Sequence, residues 1–394
     1  MTISKYIEQA MKNSSWIRRM FEAGNELAKV HGRENVFDFT LGNPSEPPPA
    51  LFFETLRNTV AERNPAAHRY MSNAGYPETR DLIAKSASDG LSFEISLENV
   101  IMTVGAAGGL NITLKSILDP GSEVLCLTPY FPEYRFYIEN HGGKFINIPT
   151  DANFAPIPEV IAGALSKNTK AIIINTPNNP TGVIYSAEIL RNINEILQSF
   201  KKRTGNTVYV ISDEPYRKIL YDGKTAPKTL DIFDDVIFCT SHSKDLGLPG
   251  ERIGYAIISP RTQNARELFD AMVFCNRTLG YVNAPAVMQR VVGKLQNESV
   301  NIASYEEKRN IFCDGLCKSG YEVVKPDGAF YLFPKAPGGD DVEFIQTLMK
   351  ERILAVPGQG FGLGGYFRIS YCVEKDTILR SLEGFDRAIN SFKQ

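Results

Sequence analysis

Cysteine is scarce, with six in 394 residues (Cys126, Cys239, Cys275, Cys313, Cys317, Cys372) and no C-x-x-C pair. That excludes a disulfide-built scaffold and fits a reducing compartment. Histidine is scarcer, four in the chain, and none stands beside the closely spaced Cys313 and Cys317. A cysteine–histidine metal site is therefore not expected, and the two thiols read as buried packing. Net charge is nearly absent: 43 basic against 45 acidic residues leave a formal −2, so no field implies a polyanion, and nucleic acid is not expected as a partner. Long apolar runs are also missing. Residues 99–114 and 171–187 are the longest uncharged stretches, but glycines or prolines interrupt them and they fall short of the ~20 residues a membrane span needs. The first twenty residues carry Lys5, Glu8, Lys12, Arg18 and Arg19 without the apolar run of a secretion signal. A soluble, cytoplasmic chain is expected, with no internal repeat and no low-complexity tract.

What is present is ordinary globular material, 43% hydrophobic and 10% aromatic, long enough for two to three domains. Helical spacing of Ile17, Met20, Phe21, Leu27 and Ala28 predicts an amphipathic helix over about 5 to 30. LGNPSEPPP (41–49) can be neither helix nor central strand, because proline fixes φ and lacks the donor, and reads as a connecting arm. Seven continuous apolar runs follow: VIMTV (100–104), EVLCLT (123–128), KFINIP (144–149), AIIIN (171–175), VYVIS (208–212), VIFCTS (236–241) and RIGYAIIS (252–259). Runs of this kind are strands covered on both faces, which predicts an α/β unit with a mostly parallel sheet. The last two lie too close in sequence for a crossover helix, so one of them is expected to run antiparallel. Beyond Asn283-Ala284-Pro285, a charged helical stretch (about 286–318) and short strands near 321–324, 329–333 and 366–371 suggest a smaller α+β unit. The expected division is an arm over 1–45, a large domain over 46–284 and a small domain over 285–394.

Four segments offer chemistry. Lys244 follows a strand end among hydroxyls and glycines in TSHSKDLGLPGERIGY; a lysine becomes a catalytic amine when its surroundings lower its pKa or it condenses with a carbonyl. Asp213 stands just past a buried strand with Tyr216 three residues on, and Asn179 lies in a proline-bracketed turn after another strand. Singly, these two also fit a helix cap and a turn residue, but the ends of parallel strands are where such sheets bind ligands. GAAGGLNITL (105–114) follows a strand and opens an apolar helical run, placing the amides of Ala106 and Ala107 at a helix N-terminus suited to an anion. Ser241, Ser243 and Arg252 add hydroxyls and a fixed positive charge. A glycine turn serving close packing fits the same segment.

Taken together, YMSNAGYPETR (70–80), the Gly105 turn, PYFPEY (129–134), NNPTG (178–182), DEPY (213–216), SHSK with GERIGY, PDGAFY (326–331), PGQGFG (357–362) and FRIS (367–370) resemble the class I/II aminotransferases, pyridoxal-phosphate enzymes of fold type I. The resemblance runs from about residue 35 through most of the chain. It implies a large cofactor-binding domain with a seven-stranded, mostly parallel sheet between helices, and a smaller α+β domain. Residue by residue, it implies that Lys244 forms the Schiff base with pyridoxal 5′-phosphate and that Asp213 keeps the pyridine nitrogen protonated. Asn179 and Tyr216 would bond the phenolic oxygen, and Phe131 would stack on the ring. Ser241, Ser243, Arg252, the Ala106 and Ala107 amides and Tyr70 from a second subunit would hold the phosphate, which implies a homodimer. Arg368 would grip the substrate α-carboxylate, with the backbone of Gly42 closing the site.

The implied reaction moves an amino group from an L-amino acid to a 2-oxo acid such as 2-oxoglutarate in ping-pong half-reactions. A β-lyase within the same family uses much the same residues and is the alternative. Ser241 to Lys244 fits S-x-x-K, but no K-T-G or S-D-N partner occurs. Gly360, Gly362 and Gly365 spell G-x-G-x-x-G, yet a strand-like segment follows and too little chain remains for a dinucleotide unit. Arg277, ahead of Val282-Asn283-Ala284-Pro285, reads either as a reader of a distal carboxylate or as a solvated charge. His242 reads as packing. The 5–30 helix fits a lid over substrate and a packing helix at a dimer surface equally.

Overall fold

The structure, a computed structural model, describes residues 2–13 and 16–392. Its centre is a seven-stranded sheet of β2 (Val100–Thr103), β3 (Glu123–Leu127), β4 (Lys144–Ile148), β5 (Thr169–Asn175), β6 (Tyr209–Asp213), β7 (Val236–Ser241) and β8 (Gly254–Ile258), in the order β2-β8-β7-β6-β5-β3-β4. All seven fall on the apolar runs. β3 to β7 pair in parallel, while β8 runs antiparallel to both β7 and β2, which meets the expectation for the closely spaced last pair. Helices cover both faces. Ala187–Thr204 shows why they form: Ser186 accepts from the Ile189 amide at 3.1 Å, the helix stops at left-handed Gly205, and Leu190, Ile193, Leu197 and Phe200 line the buried side. Each such side chain contributes about 1.5–3 kcal/mol by leaving water.

The remaining strands are short. β1 (Phe37–Asp38) pairs in parallel with β10 (Ile353–Leu354), and β12 (Phe367–Ser370) lies between β11 (Val356–Pro357) and β9 (Tyr331–Leu332), antiparallel to both. Met20, Phe37 and Phe39 join one apolar cluster with Phe312, Phe344, Phe367 and Phe385, which ties the arm to the C-terminal third.

Several expectations need correction. Residues 321–324 form no strand: the segment makes one ladder-type bond, Lys335 N–H to Glu322 O at 3.0 Å, too few to define one. The stretch 286–318 is two helices, Ala286–Val292 and Ile302–Lys318, because the chain turns through Gly293–Leu295 and restarts where Asn301 accepts from the Ser304 amide. Cys313 is buried as expected, but Cys317 is exposed. The N-terminal prediction falls on two helices, Lys5–Asn13 and Trp16–His31, with 14 and 15 outside the described residues.

Candidate active site

Strand direction builds the site. β2, β3, β5, β6 and β7 all end at one edge of the sheet, and antiparallel β8 begins there, since Gly254 pairs with both Thr103 and Ser241. Neighbouring strands lie about 4.8 Å apart, so the residues just beyond those ends meet although they are far apart in sequence: Gly105 after β2, Phe131 after β3, Asn179 after β5, Asp213 closing β6, Lys244 after β7 and Arg252 ahead of β8.

Lys244 sits in the short helix His242–Asp245 and donates from Nζ to Gly42 O at 2.6 Å, with the Phe330 ring centroid 5.5 Å away. Burial pushes its amine down to about 8, and the cations of Arg368 and Arg252 act in the same direction. Asp213 is buried. Its Oδ2 accepts from the Tyr134 hydroxyl at 2.5 Å, but Oδ1 has no partner among the described residues. Burial raises this acid to about 7, against the opposing Tyr134 bond.

Arg368, on β12, is buried with its guanidinium between two rings, 4.8 Å from the Tyr331 centroid and 4.7 Å from that of Phe361. It donates to Asn179 Oδ1 at 3.2 Å and to Thr40 O, while Nε has no described partner. Three successive carbonyls of the arm thus face the site: Thr40 O takes Arg368, Leu41 O takes the Cys372 thiol at 3.6 Å, and Gly42 O takes Lys244. Asn179 is held in turn by its own amide donating to Asn175 Oδ1 at 2.7 Å, and Asn175 donates to Asp213 O at 2.8 Å. Tyr216 is buried, its hydroxyl 2.8 Å from that of Tyr331.

On the other side of Lys244, the helix Gly105–Ile117 starts at Val104 without a side-chain cap, leaving the first amides, including those of Ala106 and Ala107, free for an anion. Gly105 has φ +76°, and a Cβ there would lie 2.8 Å from an Arg252 terminal nitrogen, so only glycine lets that guanidinium approach the helix start. Ser241 and Ser243, just before Lys244 in sequence, are buried. Phe131 is half-buried, edge-on to Tyr134 with centroids 5.5 Å apart.

The sequence-predicted residues of the central sheet therefore lie at one of its edges, with Gly42 of the arm and Arg368 of β12 brought against them; Tyr70 stands apart within the subunit, 92% exposed. Arg277 ends the helix Ala265–Thr278, exposed, over the Phe274 ring at 5.4 Å, with no described contact to the cluster. His242 is buried, 3.3 Å from Asp245 and 5.7 Å from the Tyr255 ring centroid, as packing requires. Sequence reasoning passed over Tyr134, Asn175 and Tyr331. Each lies in or beside a motif already singled out, PYFPEY, NNPTG or PDGAFY, but nothing in the spacing says which side chain turns inward.

These groups suit pyridoxal phosphate. A buried carboxylate oxygen lacking a donor matches a ring N–H, a capless helix start beside a guanidinium matches a phosphate, and a buried amine with lowered pKa matches an aldehyde.

Comparison with known proteins agrees. The aspartate aminotransferase of Thermotoga maritima is 32% identical over 370 residues, spanning 92% of this chain and 94% of its own. An aminotransferase crystal structure from Eubacterium rectale superposes with a TM-score of 0.96 at 36% identity, covering all of both chains. Aspartate aminotransferase of Thermus thermophilus with maleate gives 0.85 at 26%, over 98% of this chain and 100% of that one. The family described as aminotransferase class I and II matches residues 34–385, and the chain belongs to that family of pyridoxal-phosphate-dependent aminotransferases.

Proposed function

We propose that the chain transfers an amino group from an L-amino acid to a 2-oxo acid, 2-oxoglutarate among them, with Lys244 as the covalent attachment point and proton carrier. The observation carrying this is the pairing of a buried, lowered-pKa amine with a carboxylate whose second oxygen lacks a donor. Bound there, pyridoxal phosphate supplies an electron sink for the pair left at the substrate's Cα. Asp213, whose Oδ1 has no described donor, would accept from a ring N–H and so hold the ring cationic. Tyr216 and Asn179 hold the phenolic oxygen, and Phe131 covers the ring face. Arg368 takes the substrate carboxylate, its Nε having no described partner while its terminal nitrogens donate to Thr40 O and Asn179 Oδ1. Lys244 would move the Cα proton, with an amine near the pKa a general base needs at neutral pH. Ser241, Ser243, Arg252 and the Ala106 and Ala107 amides bind the phosphate, with Tyr70 supplied by a second subunit, so the working unit is a homodimer with shared sites.

The reading also divides the chain at 45 and 284, supported by the arm's aromatic contacts with the C-terminal third. It places the protein in the cytoplasm, supported by six unpaired cysteines. No described helix is long and apolar enough to cross a membrane.

Borohydride reduction of the cofactor-loaded protein followed by peptide mapping is expected to label Lys244; label on another lysine overturns the assignment. A panel of amino donors with 2-oxoglutarate is expected to yield glutamate. Release of ammonia and pyruvate instead would identify a β-lyase.

A further inference from the structure

We propose that Tyr331 is a positioning residue whose hydroxyl sets Tyr216 and whose ring sets Arg368, so that one side chain couples the cofactor's phenolic oxygen to the substrate carboxylate. The inference rests on the function proposed above, in which Tyr216 and Arg368 contact those two groups.

Tyr331 opens β9, next to β12 through the Ser370–Tyr331 pair, and is 2% exposed. Its hydroxyl lies 2.8 Å from that of Tyr216, the two rings crossing at 82° with centroids 5.6 Å apart. Its face lies 4.8 Å from the Arg368 guanidinium carbon, a cation–π distance in a dry setting. On its third side is the arm: a Cβ on Gly42 would come within 2.0 Å of the Tyr331 oxygen, so Gly42 is glycine because this hydroxyl lies against its backbone. Gly42 O in turn receives the Lys244 amine. Tyr331 thus touches the amine-holding arm, the phenol-holding tyrosine and the carboxylate-holding arginine together.

Two hydroxyls this close share one proton along their axis, and either can donate. With the phenolic oxygen available to Tyr216, the favoured order has Tyr331 donating to Tyr216 and Tyr216 donating onward. A hydroxyl that accepts a bond donates a stronger one. The other charged or titratable groups facing the pair are Arg368, Cys372 and Asp213; all three remain in Tyr331→Phe, which also keeps the ring under Arg368. Loss of the Tyr331 hydroxyl should therefore weaken the donation to the phenolic oxygen, make that oxygen more basic, and raise the pH at which the holoenzyme's visible absorbance titrates.

The test uses holoenzyme with two variants. Tyr331→Phe keeps the ring and removes the hydroxyl. Its absorbance titration in the absence of substrate is expected to move up by about half a pH unit or more, with KM for the amino donor within about twofold of wild type. Tyr331→Leu removes both, and KM is expected to rise about tenfold or more as well. A titration in Tyr331→Phe that stays in place or moves down overturns the hydroxyl's role. Unchanged KM in Tyr331→Leu overturns the ring's role. If the wild-type protein acquires no visible absorbance on loading with pyridoxal phosphate, the underlying function fails; a normal wild type with unmoved variants removes only this inference.

Discussion

Asp213 and Tyr134 share one hydrogen bond, 2.5 Å from hydroxyl to Oδ2, and leave Oδ1 buried with no described donor. Half of this carboxylate is provided for by the protein and half is not. Without cofactor the arrangement is costly, because burial disfavours the charged form and raises the acid to about 7.

The linkage has a definite sign. Below about pH 4 the group is protonated in both folded and unfolded chains and makes no difference. As pH rises toward 7 only the unfolded chain sheds the proton, so the folded, cofactor-free protein loses stability, on the order of 4 kcal/mol once above pH 7. Asp213→Asn cannot ionise. Thermal unfolding of cofactor-free protein should show the wild type falling in Tm between pH 5 and 8 more steeply than the variant, with the variant the more stable at pH 8. Parallel slopes would contradict the assignment. The same variant, loaded with cofactor, should lose most transaminase activity because an amide does not hold the ring nitrogen protonated.

The fold was largely legible because both-face burial writes itself as continuous apolar runs, and all seven central strands lie on them. Lys244 and Arg368, singled out through their motifs, both donate to backbone carbonyls of the arm. What escaped was of two kinds. Short edge strands such as β1, β10 and β11 have two residues each, too few for any period to show. Side chains such as Tyr134 and Tyr331 owe their place to strand order: Tyr331 meets Tyr216 across 115 positions, and no local pattern encodes that separation. The break at Gly293–Leu295 was missed because the flanking segments are both good helix formers and only one glycine marks the turn.

Arg368 offers a separate test of carboxylate recognition. Its planar fork is fixed by two rings and by bonds to Thr40 O and Asn179 Oδ1, an arrangement lysine cannot reproduce because an ammonium is a point charge without a second prong. Arg368→Lys is expected to raise KM for the amino donor about thirtyfold or more, the loss of about 2 kcal/mol or greater that follows truncation of a buried charge pair. Since Arg368 is assigned to the substrate and not to the cofactor, the visible spectrum of the substrate-free holoenzyme should keep its maximum. Unchanged KM in steady-state assays would remove the residue from the site.

Tyr70 lies almost wholly in solvent within its own subunit, an unusual position for a residue assigned to a phosphate. Shared sites make a quantitative prediction. Lys244→Ala and Tyr70→Ala chains are each expected to be nearly inactive alone. In a heterodimer of the two, one site combines the intact Lys244 of one chain with the intact Tyr70 of the other, and the second site carries both lesions. Equal mixing by co-expression gives heterodimers as half of all dimers, each with one working site, so activity should recover to about a quarter of wild type. Were Tyr70 to serve its own subunit, every site in the mixture would carry one lesion and nothing would recover. Assaying the mixture against each parent separates the two arrangements without need of a crystal.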